Sequence, residues 1–181
     1  MIKKLKHSAA LLCLSAALWL TGCGAGENDS SSGQFSSFVA TATDGTSVDQ
    51  DILKNSKVTM LNVWGTFCSP CLNEMPDLGE LAEEYDSSHF QIIGIVLDTA
   101  DSSGEIVQSQ VDKAQELIEQ TGADYLHLLP SQGLLENQLS SVVSVPTTFF
   151  VDADGNILHR VSGSKEKDDW KSIIDDVLEE R

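Results

Sequence analysis

Two apolar segments in the middle of the chain have the composition of buried β-strands. They are Lys57 to Trp64, with the sequence KVTMLNVW, and Phe90 to Asp98, with the sequence FQIIGIVLD. The segment between them, Ser69 to Tyr85, carries apolar residues at helical spacing: Leu72, Met75, Leu78 and Leu81. A strand, a helix and a strand in this order predict a right-handed βαβ unit with a parallel strand pair.

Further elements are predicted on both sides of this unit. Phe38 to Val48, FVATATDGTSV, has the pattern of a β-hairpin with an Asp-Gly turn. Gly104 to Thr121 predicts a second helix, with Ile106 and Val107 on its apolar face and a glycine directly after it as its stop. YLHLL predicts a short strand, SQGLLENQL a brief helix, and SVPTTFFVDADGNILHRVSG two strands joined by a tight Asp-Gly turn. Ser164 to Arg181 closes the chain with an amphipathic helix.

The first 37 residues follow a different pattern from the rest. Three lysines precede an apolar run from about Ala9 to Leu20, which is too short to span a bilayer as a stable helix. The run ends in LTGC, which resembles the bacterial lipobox and implies lipidation of Cys23. We therefore expect a signal peptide at residues 1–22, a lipidated flexible tether at residues 23–37 and a folded domain at residues 38–181. The alternatives are an ordinary secretory signal with a chance cysteine, and an uncleaved anchor.

The balance of charge restricts the partners of the chain. It has 11 basic and 28 acidic residues and a formal net charge of −17, and loss of the signal lysines would make it more acidic. Nucleic acid is therefore not expected as a partner, since phosphate binding needs basic residues. An acidic domain is also repelled by anionic lipids, so membrane attachment would depend on the acyl chains at Cys23.

The segment WGTFCSPCLNEMP, Trp64 to Pro76, places two cysteines at the predicted turn from strand to helix. Cys13 would leave with the signal and Cys23 would carry lipid, which leaves Cys68 and Cys71 as the only pair in the folded part. A cysteine just before a helix gains from unpaired backbone N–H groups and the helix dipole, which lower its pKa from about 8.5. Cys68 has that position, whereas Cys71, one turn into the helix, suits a more buried resolving thiol.

Metal binding and a passive crosslink explain the pair less well. Structural zinc needs four ligands, but His89, His127 and His159 are scattered singly, so no metal site is expected. Each of these histidines is interpreted as an ordinary surface or strand residue. Closing so small a ring removes little entropy from the unfolded chain, so stabilisation is a poor reason for the pair. Thiol-disulfide exchange is the remaining interpretation.

In its order of elements and in two motifs, the chain resembles the thioredoxin-fold TlpA/ResA-like thiol-disulfide oxidoreductases, which carry a redoxin domain. The motifs are NVWGTFCSPCLNEMP, similar to the family's active-site segment, and VPTTFFVDADG, similar to its cis-proline loop. The resemblance covers Phe38 to the C-terminus. It implies an α/β thioredoxin-like fold, with a central mixed β-sheet flanked by helices and an N-terminal β-hairpin extension.

Several functional residues are implied by this resemblance. Cys68 would be the nucleophile and Cys71 the resolving thiol. Pro146 would be the cis-proline beside them, and Val145 and Trp64 would be further substrate-binding residues, with Val145 offering backbone hydrogen bonds. The redox-active cysteine pair would be the reacting group, with no separate cofactor.

The resemblance also implies residues that tune the pair. Glu74 matches the acidic residue that TlpA/ResA-like proteins carry in this helix, and it is the candidate proton acceptor for the resolving thiol. The alternative is a solvated Glu74 on the helix surface. Asn62 stands where thioredoxins have a buried Asp, and Ser69 and Pro70 between the cysteines would tune the reduction potential. Phe67 departs from the family, because a tryptophan usually precedes the first cysteine.

The leading functional hypothesis is a disulfide reductase, lipid-anchored at the extracytoplasmic face of a bacterial membrane. By resemblance, its electron donor would be a membrane thiol transporter, and its clients would be exported proteins such as apocytochrome c or a methionine sulfoxide reductase. A monomer is expected. The alternatives are an oxidase that donates its disulfide, because direction depends on reduction potential, and a non-enzymatic surface lipoprotein. A peroxiredoxin is disfavoured, because Leu61 and Gly65 stand where that family needs Pro and Thr.

Overall fold

The predicted βαβ unit lies at the centre of the structure. In the computed structural model, which describes residues 34–101 and 103–181, strands β3 (Val58–Trp64) and β4 (Phe90–Val96) pair in parallel. Helix α1 (Ser69–Glu84) connects them. All of β3 is buried, because strands flank it on both sides and side chains cover both of its faces.

Five more strands complete a mixed sheet. They are β1 (Val39–Ala42), β2 (Ser47–Asp49), β5 (Leu126–Pro130), β6 (Thr147–Asp152) and β7 (Ile157–Ser162). The strand order is β2-β1-β5-β4-β3-β6-β7, in which β3, β4 and β5 run parallel and the other neighbours are antiparallel. The predicted mixed sheet is confirmed, and so is its N-terminal hairpin, which forms one edge as β1 and β2.

The two faces of the sheet carry separate parts of the core. Helices α1, α2 (Gln108–Thr121) and α4 (Lys167–Glu179) cover one face, whereas the short helix α3 (Gln132–Glu136) and the N-terminal segment cover the other. Side chains of β3 alternate between them: Met60 and Trp64 point to the α1 face, and Leu61 and Val63 point to the α3 face. The even-numbered residues of β3 therefore lie beneath the helix that carries the cysteines.

The folded domain begins before the boundary that was predicted at Phe38. Phe35, assigned to the tether, is fully buried, and its ring lies 5.4 Å from that of Phe149. The backbone N–H of Phe35 donates to the carbonyl of Gly155 (3.0 Å). Gly155 has a φ of +79°, and a Cβ at this position would collide with the backbone of Phe35. The sequence pattern did not indicate this burial, because Phe35 is a single apolar residue among glycine and serine residues.

Helix α2 begins at Gln108 rather than at the predicted Gly104. The side chain of Asp101 accepts two backbone hydrogen bonds from the residues that follow it, and Gly104 has a φ of +81°. This turn competes with helix formation. Ile106 consequently lies before the helix, where its side chain is 42% exposed. The other predicted helices and strands are present close to their expected bounds.

Within the described ranges, no helix is long and apolar enough to cross a membrane. The predicted signal peptide, the lipidation residue Cys23 and the tether up to residue 33 lie outside the described residues.

We expect Phe35→Ala to destabilise the domain by about 3–5 kcal/mol, because it removes a fully buried aromatic ring from the core. Ser37→Ala is the matched control, since Ser37 lies in the same segment and is exposed, and it should change stability by less than about 0.5 kcal/mol. Urea unfolding measures both. Equal, small effects of the two substitutions would show that the segment does not belong to the folded domain.

Candidate active site

The two cysteines lie where β3 leads into α1. Cys68 is the N-cap of the helix, and its Sγ accepts a hydrogen bond from the backbone N–H of Cys71 (3.2 Å). The two residues form a disulfide, with 5.3 Å between their Cα atoms. Cys68 is 5% exposed and Cys71 is fully buried, while Ser69 and Pro70 between them are exposed. The sulfur placed to meet a partner is therefore that of Cys68, at the positive end of the helix dipole.

A pair of partly buried hydrogen bonds holds the loop before the cysteines. The backbone N–H and the hydroxyl of Thr66 both donate to the carboxylate of Asp98, at 3.0 and 2.7 Å. Asp98 follows β4, and Thr66 follows β3, its parallel neighbour. Neither residue was predicted for the site. The available signal was their placement, since the carboxyl ends of adjacent parallel strands meet at one edge of the sheet.

The loop before β6 forms the other wall of the site. The Val145–Pro146 peptide bond is cis, as the resemblance implied. Val145 packs against the apolar cluster that contains both cysteines. Two large apolar side chains are exposed in the sequence segments that form these walls. Phe67, directly before the first cysteine, is 66% exposed, and Val143, two residues before Val145, is 93% exposed. The cysteine pair thus borders a surface with exposed apolar side chains.

Glu74 lies on the buried side of α1 and is only 2% exposed, so the alternative of a solvated residue is excluded. Its Oε1 accepts a hydrogen bond from Nδ2 of Asn62 (3.1 Å). Its Oε2 accepts two more, from the backbone N–H of Lys165 and from Nε1 of Trp170, both at 3.1 Å. Burial raises the pKa of Glu74, and these three donors oppose that rise. The group is thus a buried carboxyl one helical turn beyond Cys71.

Asn62 joins this carboxyl to the sheet. Its Nδ2 also donates to the hydroxyl of Thr148 on β6 (3.1 Å), and its Oδ1 accepts no hydrogen bond from any residue that the structure describes. Asn62 is fully buried, on the same face of β3 as the helix with the cysteines. A donor to Glu74 thus occupies the position at which a second carboxyl would stand in thioredoxins.

The prediction that Trp64 contacts substrate is wrong, because its side chain is fully buried. The indole Nε1–H donates to Nδ1 of His127 (3.1 Å), and Nε2 of that ring donates to the carbonyl of Ala123 (3.0 Å). This pair of bonds requires the neutral imidazole with its proton on Nε2. Burial lowers the pKa of His127 to about 4. His127 is therefore part of the wall behind the cysteines rather than an ordinary strand residue.

A glycine in β4 makes room for this imidazole. A Cβ on Gly94 would collide with the ring of His127, and the ring of Tyr125 stacks on the other side with 4.5 Å between centroids. Glycine inside an apolar strand often marks a close approach of another group. That signal was present in FQIIGIVLD, but the sequence alone did not indicate which group approaches.

In residues 34–101 and 103–181, no three His, Cys, Asp or Glu side chains are grouped closely enough to hold a metal ion. The chemistry that the site offers is that of the cysteine pair and of the buried carboxyl beside it.

A family model described as Redoxin matches residues 30–178. The chain belongs to the Redoxin family. Relatives of this Redoxin protein include the thiol-disulfide oxidoreductase ResA of Bacillus thuringiensis subsp. konkukian, 26% identical over 137 residues that cover 76% of this chain and 72% of ResA. The thiol:disulfide interchange protein DsbE of Vibrio cholerae is 32% identical over 127 residues, which cover 70% of this chain and 60% of DsbE. The predicted class of enzyme, a thiol-disulfide oxidoreductase, is confirmed.

Solved structures confirm the predicted thioredoxin-like fold of this Redoxin protein. A thiol:disulfide interchange protein of the thioredoxin family from Chlorobium tepidum TLS superposes with a TM-score of 0.64 at 24% identity, over 78% of this chain and 93% of that one. The pneumococcal exposed lipoprotein thioredoxin Etrx1 of Streptococcus pneumoniae has a TM-score of 0.58 at 26% identity, over 77% of this chain and 98% of Etrx1.

We expect protonation of His127 to destabilise the Redoxin domain in acid. Its folded-state pKa of about 4 lies below the ordinary value of 6.5, so the unfolded chain binds this proton at higher pH than the folded domain. The stability that depends on neutral His127 is therefore lost as the pH falls from about 6.5 to about 4. Between pH 7 and 4.5, His127→Leu should lose less unfolding free energy than the wild type, by on the order of 2 kcal/mol.

Urea unfolding at the two pH values measures this difference. His159→Leu is the matched control, since His159 is exposed, and it should keep the pH dependence of the wild type. The prediction fails when His127→Leu loses as much stability on acidification as the wild type does.

Proposed function

We propose that this Redoxin protein is an extracytoplasmic, membrane-anchored reductase of disulfides in exported proteins. The observation that carries the proposal is the asymmetry of the pair. Cys68 caps α1 and is 5% exposed, between the exposed residues Phe67 and Ser69, whereas Cys71 is fully buried and one turn before a buried carboxyl. One sulfur is placed to attack a partner, and the other is placed to attack only the first.

The reaction follows from this asymmetry. In the reduced protein, the Cys68 thiolate attacks one sulfur of a client disulfide, and the other client sulfur leaves as a thiolate and is protonated. Cys71 then gives its proton to Glu74 and attacks Cys68, which expels the second client sulfur. The client gains two electrons and two protons, and the enzyme pair closes to the disulfide of the structure.

The surroundings of Glu74 act on its pKa in opposite directions, with burial as the larger effect, which raises the pKa. Burial favours the protonated form of Glu74, while the donors from Asn62, Lys165 and Trp170 favour the carboxylate. A carboxyl under these opposing effects can accept a proton during exchange and release it afterwards. Ser69 and Pro70 would tune the reduction potential from the exposed first turn of the helix.

The cis-proline loop is the proposed client site. Val145 and Pro146 would present backbone groups to an extended client segment beside Cys68. Phe67 and Val143, which are both largely exposed, would add apolar contacts on either side. The departure from tryptophan at position 67 keeps an exposed aromatic ring beside the nucleophile.

Export and lipid attachment at Cys23 remain part of the proposal. They are supported by the lysines, the apolar run and LTGC at the N-terminus, and by the name of Etrx1 as an exposed lipoprotein thioredoxin. Because the folded domain includes Gln34, the tether would comprise residues 23–33. The proposed donor is a membrane thiol transporter, and the proposed clients are exported proteins such as apocytochrome c or a methionine sulfoxide reductase, bound by a monomer.

Cys71→Ser should trap the mixed disulfide with the natural client, because the first attack remains possible and the second does not. The full chain is expressed in its source organism, and adducts are separated without reductant and identified by mass spectrometry. Adducts are expected from Cys71→Ser and from no variant that lacks Cys68. A chain that forms no adduct through Cys68, and whose insulin reduction survives Cys68→Ser, would refute the proposed exchange.

Glu74→Gln tests the proton acceptor separately. It keeps the shape of the side chain but removes the basic carboxylate, so release of the client by Cys71 should slow by on the order of 100-fold. Stopped-flow measurement of mixed-disulfide decay with a peptide disulfide gives this rate. Asp77→Asn is the matched control, because Asp77 lines the same surface pocket on α1, and its rate should equal that of the wild type. An unchanged rate in Glu74→Gln would end the assignment.

A further inference from the structure

The C-terminal helix supplies part of the active site. Of the three N–H groups that donate to Glu74, one comes from the sheet, through Asn62, and two come from the region of α4. Those two are the backbone N–H of Lys165, just before the helix, and the indole Nε1–H of Trp170 in its first turn. Both donate to the same oxygen, Oε2. Two residues that lie 91 and 96 positions after Glu74 in the sequence thus bind one of its two carboxylate oxygens.

All three partners of Glu74 are N–H donors. They stabilise the carboxylate, and they cannot accept a hydrogen bond from the O–H of the protonated acid. The indole N–H is directed at Oε2, and it cannot bind water instead because Trp170 is fully buried. A ring of the same shape without the N–H would fill the same space but would leave Oε2 with one hydrogen-bond donor, the backbone N–H of Lys165. The contribution of this residue is therefore separable into packing and hydrogen bonding.

Other charged groups near Glu74 do not replace this bond. The titratable groups that face Glu74 are Asp77 on α1, Lys165 and Glu166 before α4, and Tyr125 just before β5. Lys165 is the one cation of this set, and its ammonium group is exposed.

Three further contacts join α4 to α1. Lys167 forms ion pairs with Glu80 and Glu84, both at 2.6 Å, and the hydroxyl of Tyr85 donates to Asp175 (2.7 Å). These contacts hold α4 beside α1 beyond the buried bond. The side chain of Trp170 is itself fully buried in the apolar cluster between these helices and the sheet, which restricts its rotation away from Glu74.

We propose that Trp170 is a positioning residue of the active site, whose indole N–H orients the Glu74 carboxyl and stabilises its carboxylate form, so that Glu74 can receive the proton of Cys71. The role rests on the proposed function of Glu74, and it extends the site to a helix that contacts neither cysteine through any hydrogen bond described. Trp170 acts only through its hydrogen bond to Glu74.

The direct test is titration of Glu74 in the oxidised full chain, followed by NMR of a ¹³C-labelled glutamate carboxyl. In Trp170→Phe the titration midpoint should rise by about one pH unit, since a hydrogen bond to a charged group is lost. Benzothienylalanine at position 170 has the shape of tryptophan without the N–H, and it should give the same rise. Phe150→Leu is the matched control, because Phe150 packs beside the indole and makes no hydrogen bond to Glu74. An unchanged midpoint in the benzothienylalanine protein, or an equal rise in Phe150→Leu, would overturn the proposal.

The rate of client release gives an independent measurement. Its acid limb should move to higher pH in Trp170→Phe by the same amount as the midpoint, and the substitution should have no such effect in a Glu74→Gln background. A shift that persists without Glu74 would overturn the proposal. A midpoint that rises without any shift of the rate profile supports the hydrogen bond and refutes Glu74 as the proton acceptor of the proposed function.

Discussion

A buried carboxylate is stable only when donors replace the water it has lost, and Glu74 imposes this requirement on three elements at once. The residue lies on α1, and its donors come from β3, from the segment before α4 and from α4 itself. Satisfying one side chain therefore aligns the first helix, the central strand and the last helix. The same alignment leaves the cysteines at one end of α1, where that helix is capped.

The pleat of β3 explains why polar groups can lie beneath the cysteines without disrupting the core. The side chains of Leu61 and Val63 belong to the apolar cluster on the α3 face, while Asn62 and Trp64 point to the α1 face. On that face Asn62 donates to Thr148 along the sheet and to Glu74 on the helix above it, and Trp64 donates to His127 along the sheet in the other direction. The result is a narrow polar band that extends from β6 across β3 and β4 to β5.

Features set by local sequence were predictable, and features set by distant partners were not. The hairpin and the strand-to-helix turn at the cysteines follow from short sequence patterns, and the position of the cis-proline follows from the resemblance, which rests on two motifs and the order of elements. Trp170 and Asp98 escaped notice because their functions arise from contacts with Glu74 and Thr66, which are far away in sequence. Trp64 and Phe35 were misassigned for a related reason, since an aromatic residue has the same appearance in sequence whether it binds a partner or fills the core.

The burial of Phe35 determines how the domain would be presented by anything attached upstream of it. Its backbone joins the β6–β7 turn at Gly155, next to Asp152, which pairs with Val58 at the start of β3. The cysteines follow the opposite end of that strand, after Trp64. The length of the sheet therefore separates the point of attachment from Cys68. For a chain held at a surface by its N-terminus, the point of attachment is therefore at the β6–β7 end of the domain. Cys68 lies at the opposite end, where it can meet partners from the surrounding medium.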